Sequence, residues 1–172
     1  LAALVGVTLG LISGYLGGFV DGLIMRVADV QLSIPAILIV LMVDAVVRGL
    51  VSNDRYQQIA LLVIVIAIAL ASWVQYARTV RGSVLVERNK EYVQAARVIG
   101  LSPRRIMLRH VLPNVMGPVL VIATINLGIA IIAEATLSFL GVGVPPTTPS
   151  LGTLINIGNN FLFSGQWWIT LF

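Results

Sequence analysis

The sequence predicts an all-α integral membrane protein, a polytopic helical bundle with about five spans. Of its 172 residues, 58% are hydrophobic and only 10% are charged, and the mean hydropathy is +1.00. Soluble domains carry about 25% charged residues, so this composition excludes an ordinary soluble globular protein. In addition, the apolar residues form long runs, and eight of the eleven Lys and Arg residues lie between Arg78 and Arg109.

The first predicted span covers residues 1–16. Gly6, Gly10 and Gly14 recur in it at four-residue steps, a pattern that lets a neighbouring helix approach closely in lipid. The alternative is a loosely packed or signal-like span. The pair at 17–18, two glycines, predicts a break, which a short amphipathic link follows.

Two further spans precede the basic segment. Residues 32–47 form a short span, with Pro35 and Asp44 expected near the interfaces, and residues 48–58 form a polar turn. Residues 59–77 hold nineteen residues without a charge. At 1.5 Å per residue they extend about 28 Å, close to the hydrocarbon thickness.

The distribution of basic residues predicts the topology. Residues 78–112 carry most of the positive charge and are therefore expected in the cytoplasm. By parity, residues 21–29 lie inside, whereas residues 48–58 and 141–166 lie outside. Residues 115–140 form the fourth span.

The two ends of the chain are apolar. It begins with Leu1 rather than Met and runs into an apolar end at Phe172, where Trp167 and Trp168 mark the next interface. We therefore expect an internal stretch of a longer protein that lacks spans at one or both ends. Cysteine is absent, which excludes disulfides and thiolate metal sites.

A polar interruption at residues 91–114 predicts two short helices. Gly100 suits the left-handed position after the first helix. Ser102 offers an N-cap and Pro103 a first helical residue, and Pro113 is expected to end the second helix. On the first helix one small apolar face is shared by Tyr92, Ala95, Ala96 and Ile99.

That small face predicts a covering partner. A nucleic-acid partner would suit the helix–turn–helix pattern, but lipid-facing spans flank the segment closely on both sides. Topology explains the arginines, whereas the capped pair of helices exceeds what a simple connector needs.

Glu134 is the one carboxylate deep within an apolar run. A buried carboxylate in a bilayer is costly unless paired or hydrated, so it either lines a pathway, together with Asn126 and Ser138, or lies at the outer interface or in a structural ion pair. His110, the lone histidine, fits a helix end better than a metal site or a proton relay. We find no phosphate loop, nucleophile elbow or catalytic carboxylate pair, and predict no catalytic residue and no metal site.

The string from Glu91 to Gly100, followed twelve residues later by Leu112-Pro113, resembles the EAA loop of ABC importer permeases. The family pattern is an acidic residue, two alanines, a glycine four residues on, and a distant Leu-Pro. Gln94 occupies the acidic position, so either Glu91 supplies the charge or the acid is dispensable. Residues 73–82, 109–114 and 134–146 look like the C-type permease subunit of dipeptide, oligopeptide and nickel importers, although Leu151 stands where Trp is usual.

This resemblance covers residues 14–152 and implies a type I ABC importer permease, a single transmembrane domain over 1–172 with a cytoplasmic coupling loop at 78–112. It implies a prokaryotic cell membrane, two cytoplasmic ATPase subunits, a second homologous permease and an external binding protein. It also implies that ATP and Mg are bound by the ATPases, that this chain needs no cofactor and is no enzyme, that it contacts no nucleic acid, and that further chain lies beyond Leu1 and Phe172. The residues implied in ATPase coupling are Glu91, Tyr92, Gln94, Ala95, Ala96, Arg97, Gly100, Ser102, Pro103, Arg104, Arg105 and Pro113.

Two other classes stay open at this point. One is a secondary transporter driven by an ion gradient, in which Glu134 would carry a proton. The other is a membrane-embedded enzyme or its scaffold, which would need a catalytic group that the sequence does not offer.

Overall fold

The computed structural model describes residues 1–143, 150–162 and 168, and over these residues the chain is helical without a strand. This confirms the all-α class. The helices in chain order are α1 (Ala2–Leu16), α2 (Gly18–Leu32), α3 (Ala36–Leu50), α4 (Asn53–Glu87), α5 (Glu91–Val98), α6 (Pro103–Ile106), a π-helical turn (Met107–Val111), α7 (Leu112–Phe139) and α8 (Leu151–Leu162).

Two helical stretches of the described chain are long and apolar enough to cross a membrane, Asn53–Glu87 and Pro103–Phe139. A third span results if α2 and α3 are counted as one broken helix. Helix α1 is apolar but has only 15 residues. The predicted count of about five therefore corresponds here to two or three full-length spans and one shorter apolar helix. The span expected after residue 166 lies outside the described residues, Trp168 excepted.

The helices divide into two compact units, Leu1–Pro35 with Ala69–Asn126 and Ala36–Ile68 with Leu127–Phe172. All the residues implied in ATPase coupling belong to the first unit. Its main core is a cluster of mostly aliphatic side chains from α1, α4, α5, α6, the π turn and α7. The expectation of a single domain with a coupling loop at 78–112 stays a prediction.

Helix α1 packs backbone-close against α4, as its glycines predict. A Cβ atom placed on Gly6 would lie 2.4 Å from Trp73 O, and one on Gly10 would lie 2.4 Å from Ala77 O. Both distances are far shorter than real contacts, so only glycine fits. The predicted break is confirmed, because α1 ends at Leu16 and Gly17 has a φ of 69°.

The first part of the basic segment, residues 78–87, is the end of helix α4 and not a loop. Helix α4 continues without a break from the apolar run into the basic segment and ends at Glu87. Its arginines find acceptors on α2 and α1 within the same unit: Arg81 donates to Asp21 at 2.5 and 2.6 Å, and Arg88 Nη1 donates to Gly14 O at 2.8 Å. Because these arginines are hydrogen-bonded to neighbouring helices, their charges are compatible with a continuous helix.

Two predicted boundaries in the second unit are also wrong. The span expected at 32–47 begins only at Ala36, after Pro35, because proline disfavours helix in the residue before it. The polar turn expected at 48–58 shrinks to residues 51–52, because α3 and α4 extend into it. Of the outer loop expected at 141–166, residues 151–162 form helix α8, and 144–149 and 163–166 lie outside the described residues.

Candidate functional site

Helix α5 ends as the glycine rule predicts. Gly100 has a φ of 79°, and the amide of Leu101 donates to Ala96 O at 3.1 Å across the end of the helix. A residue with a side chain adopts this left-handed conformation only at a cost, which explains glycine here. The stop sets the direction in which the chain enters α6.

Helix α6 begins at Pro103, with Ser102 in the extended N-cap conformation, and both positions are confirmed. The Ser102 hydroxyl makes no capping hydrogen bond, so that part of the prediction is wrong. The backbone carbonyl of Ser102 instead accepts from the amide of Ile106 at 3.1 Å.

Pro113 does not end the second helix. Helix α6 passes through the π turn into α7, and Pro113 is the second residue of α7. The amide of Leu112 donates to Met107 O, five residues earlier, which marks the wider π turn. A proline lacks the amide that would bond four residues back and crowds the preceding turn, and a wider turn just before it accommodates the ring.

The two sides of α5 have different surroundings. Val93 and Ala96 are buried in the core of the first unit. On the opposite side Ala95 is exposed, and Val98 and Ile99 are 87% and 74% exposed. Ala95, Val98 and Ile99 are called the exposed apolar face below. The predicted common face is therefore wrong in one respect, because Ala96 packs on its own chain.

Tyr92 lies between these two sides and connects α5 to the helices before and after it. Its Oη donates to Glu87 Oε1 at 2.5 Å and accepts from Asn114 Nδ2 at 3.1 Å. Asn114 Nδ2 also donates to His110 O at 2.7 Å, and Tyr92 Oη lies 3.3 Å from the same carbonyl. These four residues are called the Tyr92 junction below.

The environment of Tyr92 keeps its hydroxyl protonated. Burial, and next the hydrogen bond to the Glu87 carboxylate, raise the pKa of Tyr92 to about 12. At neutral pH the hydroxyl is therefore a hydrogen-bond donor to Glu87.

The other polar residues implied in ATPase coupling contact different parts of the chain. Arg97 lies over the ring of Tyr15, 5.4 Å from its centroid. Gln94 Nε2 donates to Asn89 O at 3.0 Å, which folds this side chain back onto the connection before α5. In the described part of the chain, Arg104 and Arg105 form no ion pair and are exposed.

Of the three residues predicted to line a pathway, the structure brings two together. Ser138 Oγ donates to Glu134 Oε1 at 2.6 Å in the second unit. Glu134 also borders an apolar cavity of about 600 Å³ formed by residues of α4, α7 and the start of α8. Asn126 belongs to the first unit and is half-buried.

Sequence reasoning missed a charged cluster around the buried carboxylate of Asp44 in the second unit. Asp44 is 3% exposed, and it accepts from Arg48 Nε at 2.7 Å and from the Tyr56 hydroxyl. Arg48 also lies 4.4 Å from the centroid of the Tyr56 ring and donates to Val142 O at 3.1 Å. The four-residue spacing of Asp44 and Arg48 was the available signal.

Comparison with known proteins identifies one family over nearly the whole chain. Residues 6–172 match the family described as binding-protein-dependent transport system inner membrane component. Over 166 residues, the chain is 36% identical to the dipeptide transport system permease protein of Haemophilus influenzae, covering 96% of this chain and 53% of that protein.

Two further relatives give the same result. The oligopeptide transport system permease protein of Bacillus subtilis is 39% identical over 90% of this chain and 48% of its own length. The glutathione transport system permease protein of Pectobacterium atrosepticum is 36% identical over 89% of this chain and 48% of its own length. The chain thus spans about half the length of the curated relatives it matches.

Proposed function

Because the chain belongs to the family of binding-protein-dependent transport system inner membrane components, we propose that it forms part of the permease of an ATP-driven importer. The relatives are named for dipeptide, oligopeptide and glutathione transport, and we assign the same substrate class, peptides and related small solutes, to this protein. The family description disfavours an ion-gradient transporter based on Glu134.

The observation that carries the proposal is the exposed apolar face of α5. Val98 and Ile99 are largely exposed on a helix of eight residues whose opposite side is anchored in the core. Exposed apolar side chains grouped on one side of an anchored helix are typical of a helix that docks in a groove of another protein. In this proposal the groove belongs to a cytoplasmic ATPase.

The charges near that face suit the same partner. Arg104 and Arg105 lie in α6, the next helix after α5, and are exposed, so they can form paired hydrogen bonds with carboxylates of the ATPase. The concentration of basic residues between Arg78 and Arg109 supports a cytoplasmic position for the segment.

The remaining partners follow from the same proposal. Two ATPase subunits would bind and hydrolyse ATP with Mg, so this chain would carry no cofactor and catalyse no reaction. A second, homologous permease subunit would complete the pathway, and an external binding protein would deliver the substrate.

The test is docking by the full-length protein in detergent with its candidate ATPase. Val98→Glu places a charge on the exposed apolar face and is expected to weaken ATPase co-purification about tenfold or more, because a desolvated unpaired charge is costly. Val86→Glu is the matched control. It makes the same substitution at an exposed valine of α4, outside the residues implied in ATPase coupling, and it should leave docking unchanged.

A second readout separates docking from damage to the fold. Thermal unfolding of both variants should match that of the unsubstituted protein, since both side chains are exposed. If Val98→Glu binds the ATPase as tightly as Val86→Glu does, the exposed apolar face is not the docking surface.

A further inference from the structure

The Tyr92 junction joins three helices, of which α7 is separated from the other two along the chain. Tyr92 belongs to α5, Glu87 is the last residue of α4, and Asn114 is the third residue of α7. One hydroxyl oxygen contacts both long helices at once, at 2.5 Å to Glu87 Oε1 and 3.1 Å from Asn114 Nδ2.

The connection to α7 is the informative one. Helix α5 follows α4 after three residues, so the backbone alone couples those two helices. In contrast, α6 and the π turn separate α5 from Asn114 along the chain. The Tyr92 hydroxyl bypasses that route and contacts the start of α7 directly.

The π turn gives this contact a structural reason. Its wider backbone precedes Pro113, and the carbonyl of His110 within it accepts from Asn114 Nδ2 at 2.7 Å. Asn114 Nδ2 thus donates both to the π turn and to Tyr92, so the position of the tyrosine and the shape of the turn are linked. Single π turns within α-helices are frequent at functional sites.

We propose that the Tyr92 hydroxyl is a positioning group that holds α5 at a fixed place against the C-terminal end of α4 and the N-terminal end of α7. A displacement of α5 would then reach both long helices together. This inference rests on the proposed function, in which an ATPase moves α5, and it assigns to Tyr92 the transmission of that movement rather than the binding of the ATPase.

The surroundings of Tyr92 indicate that its hydroxyl can be removed without unfolding α5. Tyr92 is itself 38% exposed, whereas Val93 and Ala96 are buried and anchor α5 without it. Loss of the hydroxyl should therefore leave the helix in place while the hydrogen bonds to Glu87 and Asn114 are lost.

The test substitutes Tyr92→Phe in the full-length permease, assembled with its ATPase in liposomes. We expect the amount of peptide transported per ATP hydrolysed to fall about fivefold, the lower end of typical coupling between sites. ATPase co-purification should stay unchanged. Tyr15→Phe is the matched control, because the Tyr15 ring contacts Arg97 whereas its hydroxyl makes no hydrogen bond in the described part of the chain.

Two more variants distinguish the junction from a general effect. Asn114→Ala should lower the transport ratio to a similar extent, and the double variant with Tyr92→Phe should add little, because both remove one linked set of contacts.

The outcomes separate this inference from the proposed function. An unchanged ratio in Tyr92→Phe with the ATPase bound would overturn the role of Tyr92 and leave the docking proposal intact. Loss of ATPase binding in Tyr92→Phe would make the residue part of the docking surface and would also overturn it. If the unsubstituted protein binds no ATPase, both proposals fall.

Discussion

The two faces of helix α5 are made of similar small and aliphatic residues but have opposite surroundings. Val93 and Ala96 pack in the core of the first unit, whereas Ala95, Val98 and Ile99 are exposed. Ala95 and Ala96 are adjacent and chemically identical, yet one is covered by its own chain and the other is not. The two alanines of the EAA pattern therefore have different surroundings, since Ala96 anchors the helix in the core and Ala95 lies on its exposed side.

The largest loss of stability is expected from a charge on the buried side of α5. Ala96→Glu places a carboxylate among apolar side chains that cannot solvate it, which costs several kcal/mol. We expect a marked loss of folded protein, measured as yield and as thermal unfolding in detergent. Ala95→Glu is the matched variant and should fold normally while weakening ATPase docking. Equal stability of the two variants would contradict the assignment of the faces.

Sequence reasoning placed both alanines on one accessible face, and the reason for the error is physical. Helical periodicity shows which residues share a side, but it does not show which side the rest of the chain covers. Local backbone rules performed better at Gly100 and Pro103, because these positions are determined by sterics within a few residues. The glycines of α1 were also predicted correctly, since their regular spacing indicates close packing even though the contacted helix, α4, is distant in sequence.

Contacts distant in sequence were beyond the reach of pattern analysis. Tyr92 and Asn114 are 22 residues apart, and the hydrogen bond between them depends on a π turn that no motif indicated. The continuation of α4 into the basic segment was not predicted for a related reason, since Arg81 donates to a carboxylate 60 residues away on α2. The family itself, in contrast, could be recognised from the EAA pattern.

A smaller loss of stability and of docking is expected at Gly100, where the chain leaves α5 and enters α6. Gly100→Ala forces a side chain into a left-handed backbone position, at a cost of about 1 kcal/mol or more. A Cβ atom there would meet no other part of the chain within 4 Å, so the cost comes from the local backbone conformation and not from packing against neighbours. We expect a modest fall in unfolding temperature and in docking, both smaller than for the charged variants. A stability equal to that of the unsubstituted protein would contradict the constraint at this turn.

The smallest effect is the pH dependence of stability that comes from Tyr92, which lies between the buried and the exposed side of α5. Its pKa is raised to about 12, against an ordinary value of about 10. Below pH 10 the hydroxyl is protonated in both the folded and the unfolded chain, so its contribution to stability is fully present there. That contribution is lost as the pH rises from about 10 through about 12, because only the unfolded chain ionises readily.

This shift can be measured by spectrophotometric titration of the folded protein. The difference between the unsubstituted protein and Tyr92→Phe should show one tyrosine that ionises well above the ordinary range. A midpoint near 10 would show that the Tyr92 hydroxyl is in contact with water and not with Glu87.

The central claim, that the exposed face of α5 receives an ATPase, is tested most directly by protection of a thiol. The described sequence contains no cysteine, so Val98→Cys introduces a single reactive group on this face within the 172 residues. We predict that a thiol reagent labels it rapidly in the permease alone and at least about tenfold more slowly once the ATPase is bound. Equal labelling in both states would contradict the account.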